Sequence, residues 1–99
     1  MPEESAVKFL AEWSIQGANL PAAQQRFVEK GGQYGEGVQL LGQWHAANSA
    51  KGWSVVEAES AMALVVWLDA WADLLDITIT PVIEAGEAAE YLVTKLKPS

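Results

Sequence analysis

The stretch Gly37–Glu57, GVQLLGQWHAANSAKGWSVVE, constrains the fold more than any other part of the chain. Two runs rich in β-branched and aromatic residues, Val38 to Ala46 and Lys51 to Ala58, flank the polar link Ala47-Asn48-Ser49-Ala50. That pattern predicts two antiparallel strands joined by a turn. The stretch holds the only histidine, His45, and two of the five tryptophans, Trp44 and Trp53. Side chains at period two share a face, and on that alternation Glu57 falls on the His45 side of the hairpin. The link is not the tight Asn-Gly type, so the relation between the two strands rests on the hairpin register and on the absence of a bulge.

The flanking segments supply the other elements. Val7 to Ile15 alternates, with Val7, Phe9, Ala11, Trp13 and Ile15 on one side, as in a half-buried strand. Asn19 and Pro21 suit a helix start. Leu20, Ala23, Phe27 and Val28 then recur at helical spacing until Gly31-Gly32 stops the helix. The loop GGQYGEG follows a helix and opens a strand, the reverse of a phosphate-binding loop, so it is expected to be a plain connection. Ser60 is placed to cap a second helix with a wide apolar stripe from Ala61 to Leu75, and Met62, Val66 and Trp67 extend that stripe into a second possible contact surface. Asp69 and Asp73 fall on its remaining, solvated side. Ile77 to Ile83 alternates again, and Pro81 cannot donate to a ladder, which predicts an edge strand. A last helix, Glu87 to Leu96, is expected to turn Tyr91, Leu92 and Leu96 inward. Residues 1–5 are expected to be a loose tail on a single domain, 1–99.

The order of elements is βαββαβ plus a C-terminal helix. Two right-handed crossovers put both main helices on one face of an antiparallel sheet of order 4-1-3-2, a ferredoxin-like α+β fold. The 51% apolar content suits an ordered domain, and the absence of cysteine removes disulfides and thiol chemistry. A net charge of −7 with six scattered basic residues argues against nucleic acid and anionic membrane as partners. The acidic start, Pro2-Glu3-Glu4, lacks the features of a secretory signal, and no apolar run is long enough to span a membrane, so a cytoplasmic location is expected.

The stretches KFLAEWSI, EGVQLLGQWHAANSAKGWSVVE and WADLLDITITPVIEA resemble domain-of-unknown-function family 3303, small bacterial proteins. Trp44-His45, Glu57, Trp71-Ala72-Asp73 and Pro81 carry the resemblance. It implies a dimeric α/β barrel and no particular activity.

A dimer is also expected from the sheet itself. If the helices cover Phe9, Trp13, Ile77 and Ile79, alternation leaves Leu10, Glu12, Leu41, Gln43, His45, Trp53, Val55, Glu57, Thr80 and Val82 on a bare face. Two such faces stacked together would enclose a lined cavity. The expected function is therefore a homodimer that binds a small, largely apolar molecule between its sheets. His45 and Glu57 are the candidate acid–base pair, because a carboxylate beside an imidazole orients it. Glu12, Gln43, Trp44 and Trp53 are candidate ligand contacts. The alternatives are a cofactor-free oxygenase or isomerase using His45 with Glu57, and a structural or regulatory dimer with no pocket. A lone histidine without a short-spaced partner does not make a metal site, and no cofactor is expected.

Overall fold

The computed structural model describes residues 6–97; the expected N-terminal tail lies outside the described residues. The strands are β1 (Val7–Ile15), β2 (Val38–His45), β3 (Lys51–Ala58) and β4 (Leu75–Val82), and the helices are α1 (Leu20–Lys30), α2 (Val65–Trp71) and α3 (Ala85–Leu96). All strand pairs are antiparallel, and the sheet runs β2-β3-β1-β4, which is 4-1-3-2 from the other edge. β1 is central and pairs along its length with β3 and β4. Pro81 sits in edge strand β4, where a missing N–H is tolerated.

Helices α1 and α2 cover one face. Ala11 and Trp13 of β1 pack with Ala23 of α1 and with Trp67 and Trp71 of α2, while Phe9, Val56 and Ala58 pack with Leu64. Pro21 lies in the first turn of α1, and Gly31, with φ of +69°, ends it while its N–H donates to Phe27 O at 2.8 Å. The second helix is shorter than its apolar stripe. One 3-10 turn, Ala61–Leu64, precedes a seven-residue α2. Leu75 and Asp76 are drawn into β4 by pairing with Ile15 and Ser14, two residues earlier than alternation from Ile77 suggested. Trp67 is buried in the core, so only Met62 and Val66 remain as exposed apolar groups there.

Two expectations about which way side chains face also fail. The first concerns β2. The register runs Gln39↔Glu57 and Leu40↔Val56, then Gly42↔Val55, leaving Leu41 as an extra residue in a β-bulge. One inserted residue reverses the facing of everything after it. Gln43 and His45 therefore pair with Ser54 and Gly52 and share the helix-covered face, not the bare one. The second concerns α3, whose Tyr91, Leu92 and Leu96 are exposed rather than inward. No described strand or helix packs along it, and none of its residues is buried.

Gly52 is required by the ring that crosses it. Trp13 lies over the β3 backbone, and a Cβ at Gly52 would meet its Cζ2 at 2.1 Å. Gly52→Ala should destabilise the fold by roughly 1–3 kcal/mol, the usual cost of overpacking a tight core. Urea unfolding followed by tryptophan fluorescence measures it, and an unchanged midpoint would contradict this packing.

Candidate functional site

A cavity of about 460 Å³ lies between the helix-covered face of the sheet and helices α1 and α2. Trp13 and Ile15 of β1, Gln43 and His45 of β2, and Leu75 of β4 form its floor. Ala23, Gln24, Phe27 and Val28 of α1 and Trp67 and Trp71 of α2 form its wall. Gly32 and Tyr34 enter from the α1–β2 loop, and Ser49 from the hairpin turn. Ser49 adopts φ of +66° in that turn, and Asn48 Oδ1 accepts from Ala50 N at 3.0 Å. An Asn side chain bonding two residues ahead is a common way to close such a link.

The rings meet in edge-to-face, tilted and stacked pairs. Trp13 meets Trp67 at 6.4 Å and 78°, and Tyr34 stacks on Trp67 at 4.9 Å and 19°. His45 is exposed at the rim, with its ring 5.7 Å from Trp13 and 5.2 Å from Phe27. Such offset and T-shaped contacts suit the charge distribution of aromatic rings and hold the imidazole between two apolar neighbours. The Gln43 amide donates to the Tyr34 hydroxyl at 3.3 Å. Burial pushes the Tyr34 pKa up, and the approach of the Ser54 hydroxyl only partly offsets it, so Tyr34 is a neutral hydrogen-bonding group at physiological pH. Ser54 Oγ itself is fully buried with no partner in hydrogen-bonding geometry, a costly position for a hydroxyl.

The wall is braced from outside. Arg26 of α1 forms a two-pronged pair with Asp73 just beyond α2, Nη1 to Oδ1 at 2.8 Å and Nη2 to Oδ2 at 2.7 Å. It also donates to Ala70 O at 2.9 Å and lies over the Trp71 ring at 5.3 Å. Trp71 Nε1 donates to Gly32 O at 2.9 Å, tying α2 to the end of α1. Asp73 is thus a partner for α1, while Asp69 remains exposed as expected.

The bulge divides the candidate residues. His45 and Gln43 line the cavity, but Glu57 and Glu12 lie on the opposite face with Trp44 and Trp53. Glu57 pairs with Lys8 at 3.5 Å, so the expected His45–Glu57 couple does not form. Tyr34, Phe27, Trp67 and Trp71 were missing from the sequence-based set. Tyr34 was signalled only by being an aromatic residue in an otherwise polar, glycine-rich loop. Among the described residues, no three His, Asp or Glu side chains gather closely enough to hold a metal ion.

The model of a domain of unknown function, DUF3303, matches residues 7–96. The chain belongs to the DUF3303 family. No curated protein and no solved structure matches it. The DUF3303 match runs from β1 through α3, so the cavity and the exposed last helix both fall within the family's span. Among the described residues, no helix is long and apolar enough to cross a membrane.

The Arg26–Asp73 brace has a pH signature. Pairing with Arg26 lowers the Asp73 pKa from its ordinary value of 3.8. A carboxylate with a depressed folded pKa adds stability above its unfolded value and loses it as pH falls through the folded one. Asp73→Asn should lower the Tm slightly at pH 7, and the gap to the parent should close below about pH 4. Thermal melts across pH 3–7 test this, and a gap that persists undiminished at the acid end would contradict it.

Proposed function

We propose that this DUF3303 protein is a homodimeric binder of a small, flat, largely apolar molecule, held in each protomer between the sheet and helices α1 and α2. The aromatic cavity carries the proposal. Its volume falls in the range of small-molecule sites, and its lining has the usual composition, mostly apolar with a few polar groups to set orientation. Trp13, Phe27 and Trp67 offer ring surfaces for stacking. The neutral Tyr34 hydroxyl and the Gln43 amide offer hydrogen bonds at one end, and His45 offers another at the rim. A ligand with one polar substituent on an aromatic body matches that layout.

This differs from a cavity between two sheets fixed by His45 and Glu57, because His45 and Gln43 lie on the helix side while Glu57 stays on the bare face. It also favours binding over an oxygenase or isomerase built on His45 with Glu57, whose carboxylate is engaged by Lys8. The bare face then has a different role. Leu10, Trp53, Val55 and Val82 share it with Glu12 and with the exposed Trp44, and no described element covers it. An apolar expanse of this kind suits stacking against the same face of a second copy, an isologous interface.

Calorimetric titration with 2-naphthol, a flat apolar probe with one hydroxyl, tests the cavity. The parent should bind, and Gln43→Leu and His45→Ala should each weaken binding about tenfold, the effect of one lost hydrogen bond. Glu57→Gln should leave it unchanged. Equal affinity in the parent and both cavity variants would remove these residues from the site. Light scattering at micromolar concentration tests the dimer. Twice the 10.7 kDa chain mass is expected, with dissociation in Val55→Asp. A folded species of single-chain mass would sink the dimer.

A further inference from the structure

The polar end of the cavity is built from one row of the sheet and one loop residue. Gln43, Ser54 and Ala11 stand side by side across β2, β3 and β1 on the helix-covered face. Ser54 and Ala11 are small and fully buried. Tyr34 comes from the α1–β2 loop, packs against both halves of the core, and brings its hydroxyl close to Ser54. Tyr34 and Gln43 line the cavity.

The hydrogens at this end outnumber their acceptors. The Gln43 amide donates one of its two hydrogens to Tyr34 Oη at 3.3 Å, and among the described residues that is the one hydrogen bond Tyr34 makes. The Tyr34 proton therefore lacks an acceptor. Ser54 Oγ is the nearest alternative, yet it has no partner in hydrogen-bonding geometry. The amide also keeps its second hydrogen. Two donor atoms 3.3 Å apart are left with unused hydrogens on the cavity wall. A donor left unmade in such surroundings is costly, so the site favours a guest that supplies an acceptor.

We infer that this end takes the oxygen of an uncharged carbonyl conjugated with a flat aromatic body, as in an aryl ketone or a quinone, and discriminates against aromatic acids. The inference rests on the binding reading above and narrows its ligand. A carbonyl oxygen carries no hydrogen and has two lone pairs in the plane of its substituents, which suits two adjacent donors. Conjugation keeps that plane continuous with the ring, as the aromatic walls require. Charge decides against an acid. No Asp, Glu, Lys or Arg lines the cavity, and the nearby Arg26 is engaged by Asp73 outside it. A carboxylate at this end would lose its water with no cation in return. Burial raises the Tyr34 pKa, and the same surroundings disfavour an anion beside it.

Calorimetric titration of 2-acetonaphthone against 2-naphthoate tests the inference, since the two share a body and differ in charge. The ketone should bind at least about tenfold tighter. Its carbonyl stretch should move to lower wavenumber in the complex, the infrared mark of an accepted hydrogen bond. Tyr34→Phe keeps the ring that stacks on Trp67 and removes the hydroxyl. It should weaken the ketone about tenfold and reverse much of the infrared shift, with naphthoate affinity unchanged. Gln43→Leu removes the other donor and should act in the same direction. Tryptophan fluorescence reports whether each variant is folded. Naphthoate binding as tightly as the ketone overturns the inference while the apolar cavity stands. So does a carbonyl stretch that stays unmoved on binding. If neither compound binds, and 2-naphthol does not bind either, the cavity reading falls and the carbonyl with it.

Discussion

A single inserted residue decides what this sheet can do. Strand side chains alternate strictly, so the bulge at Leu41 hands Gln43 and His45 to the helix side while Gln39 stays opposite Glu57. Had β2 run without it, the imidazole would stand on the bare face beside carboxylates. With it, the imidazole stands between Trp13 and Phe27 at the mouth of an aromatic cavity. Its neighbours are then two aromatic rings in place of carboxylates. The bulge also depends on its surroundings. Gly42 follows it immediately, and the Trp44 ring lies so close that a Cβ at Gly42 would meet it at 2.6 Å.

Much of the architecture was legible in the residues. The alternation of Val7–Ile15, the stop at Gly31 and the proline in the last strand were enough to set element order, sheet order and the covered face. Those features are local and chemically distinct. The bulge is neither. Leu40 and Leu41 are the same residue, and nothing in side-chain character says which is the extra one. Gly42 was the available signal, since glycine within a strand often marks a bulge or a close approach. The facing of α3 was illegible for a different reason. An apolar stripe has the same spacing whether it covers its own core or another surface, and only the spatial path of Ile83-Glu84 separates the two.

The cavity is shaped by contacts across long sequence separations. Arg26 and Asp73, Trp71 and Gly32, and Gln43 and Tyr34 join segments that no single periodic pattern links. Together they set the spacing between α1, α2 and the sheet. Trp13 and Trp67 meet edge to face on the floor and wall of a pocket that opens to solvent past His45 and Val28.

Pro81 and the Leu41 bulge have a consequence for aggregation. They occupy the two outer strands, β4 and β2. An outer strand with an uninterrupted row of free amides recruits extended segments from other chains and can seed fibrous growth. Here one border lacks an amide and the other carries a kink. Sideways extension of the sheet is discouraged at both borders, and the routes left for self-association are the faces of the layer and the helix beyond it.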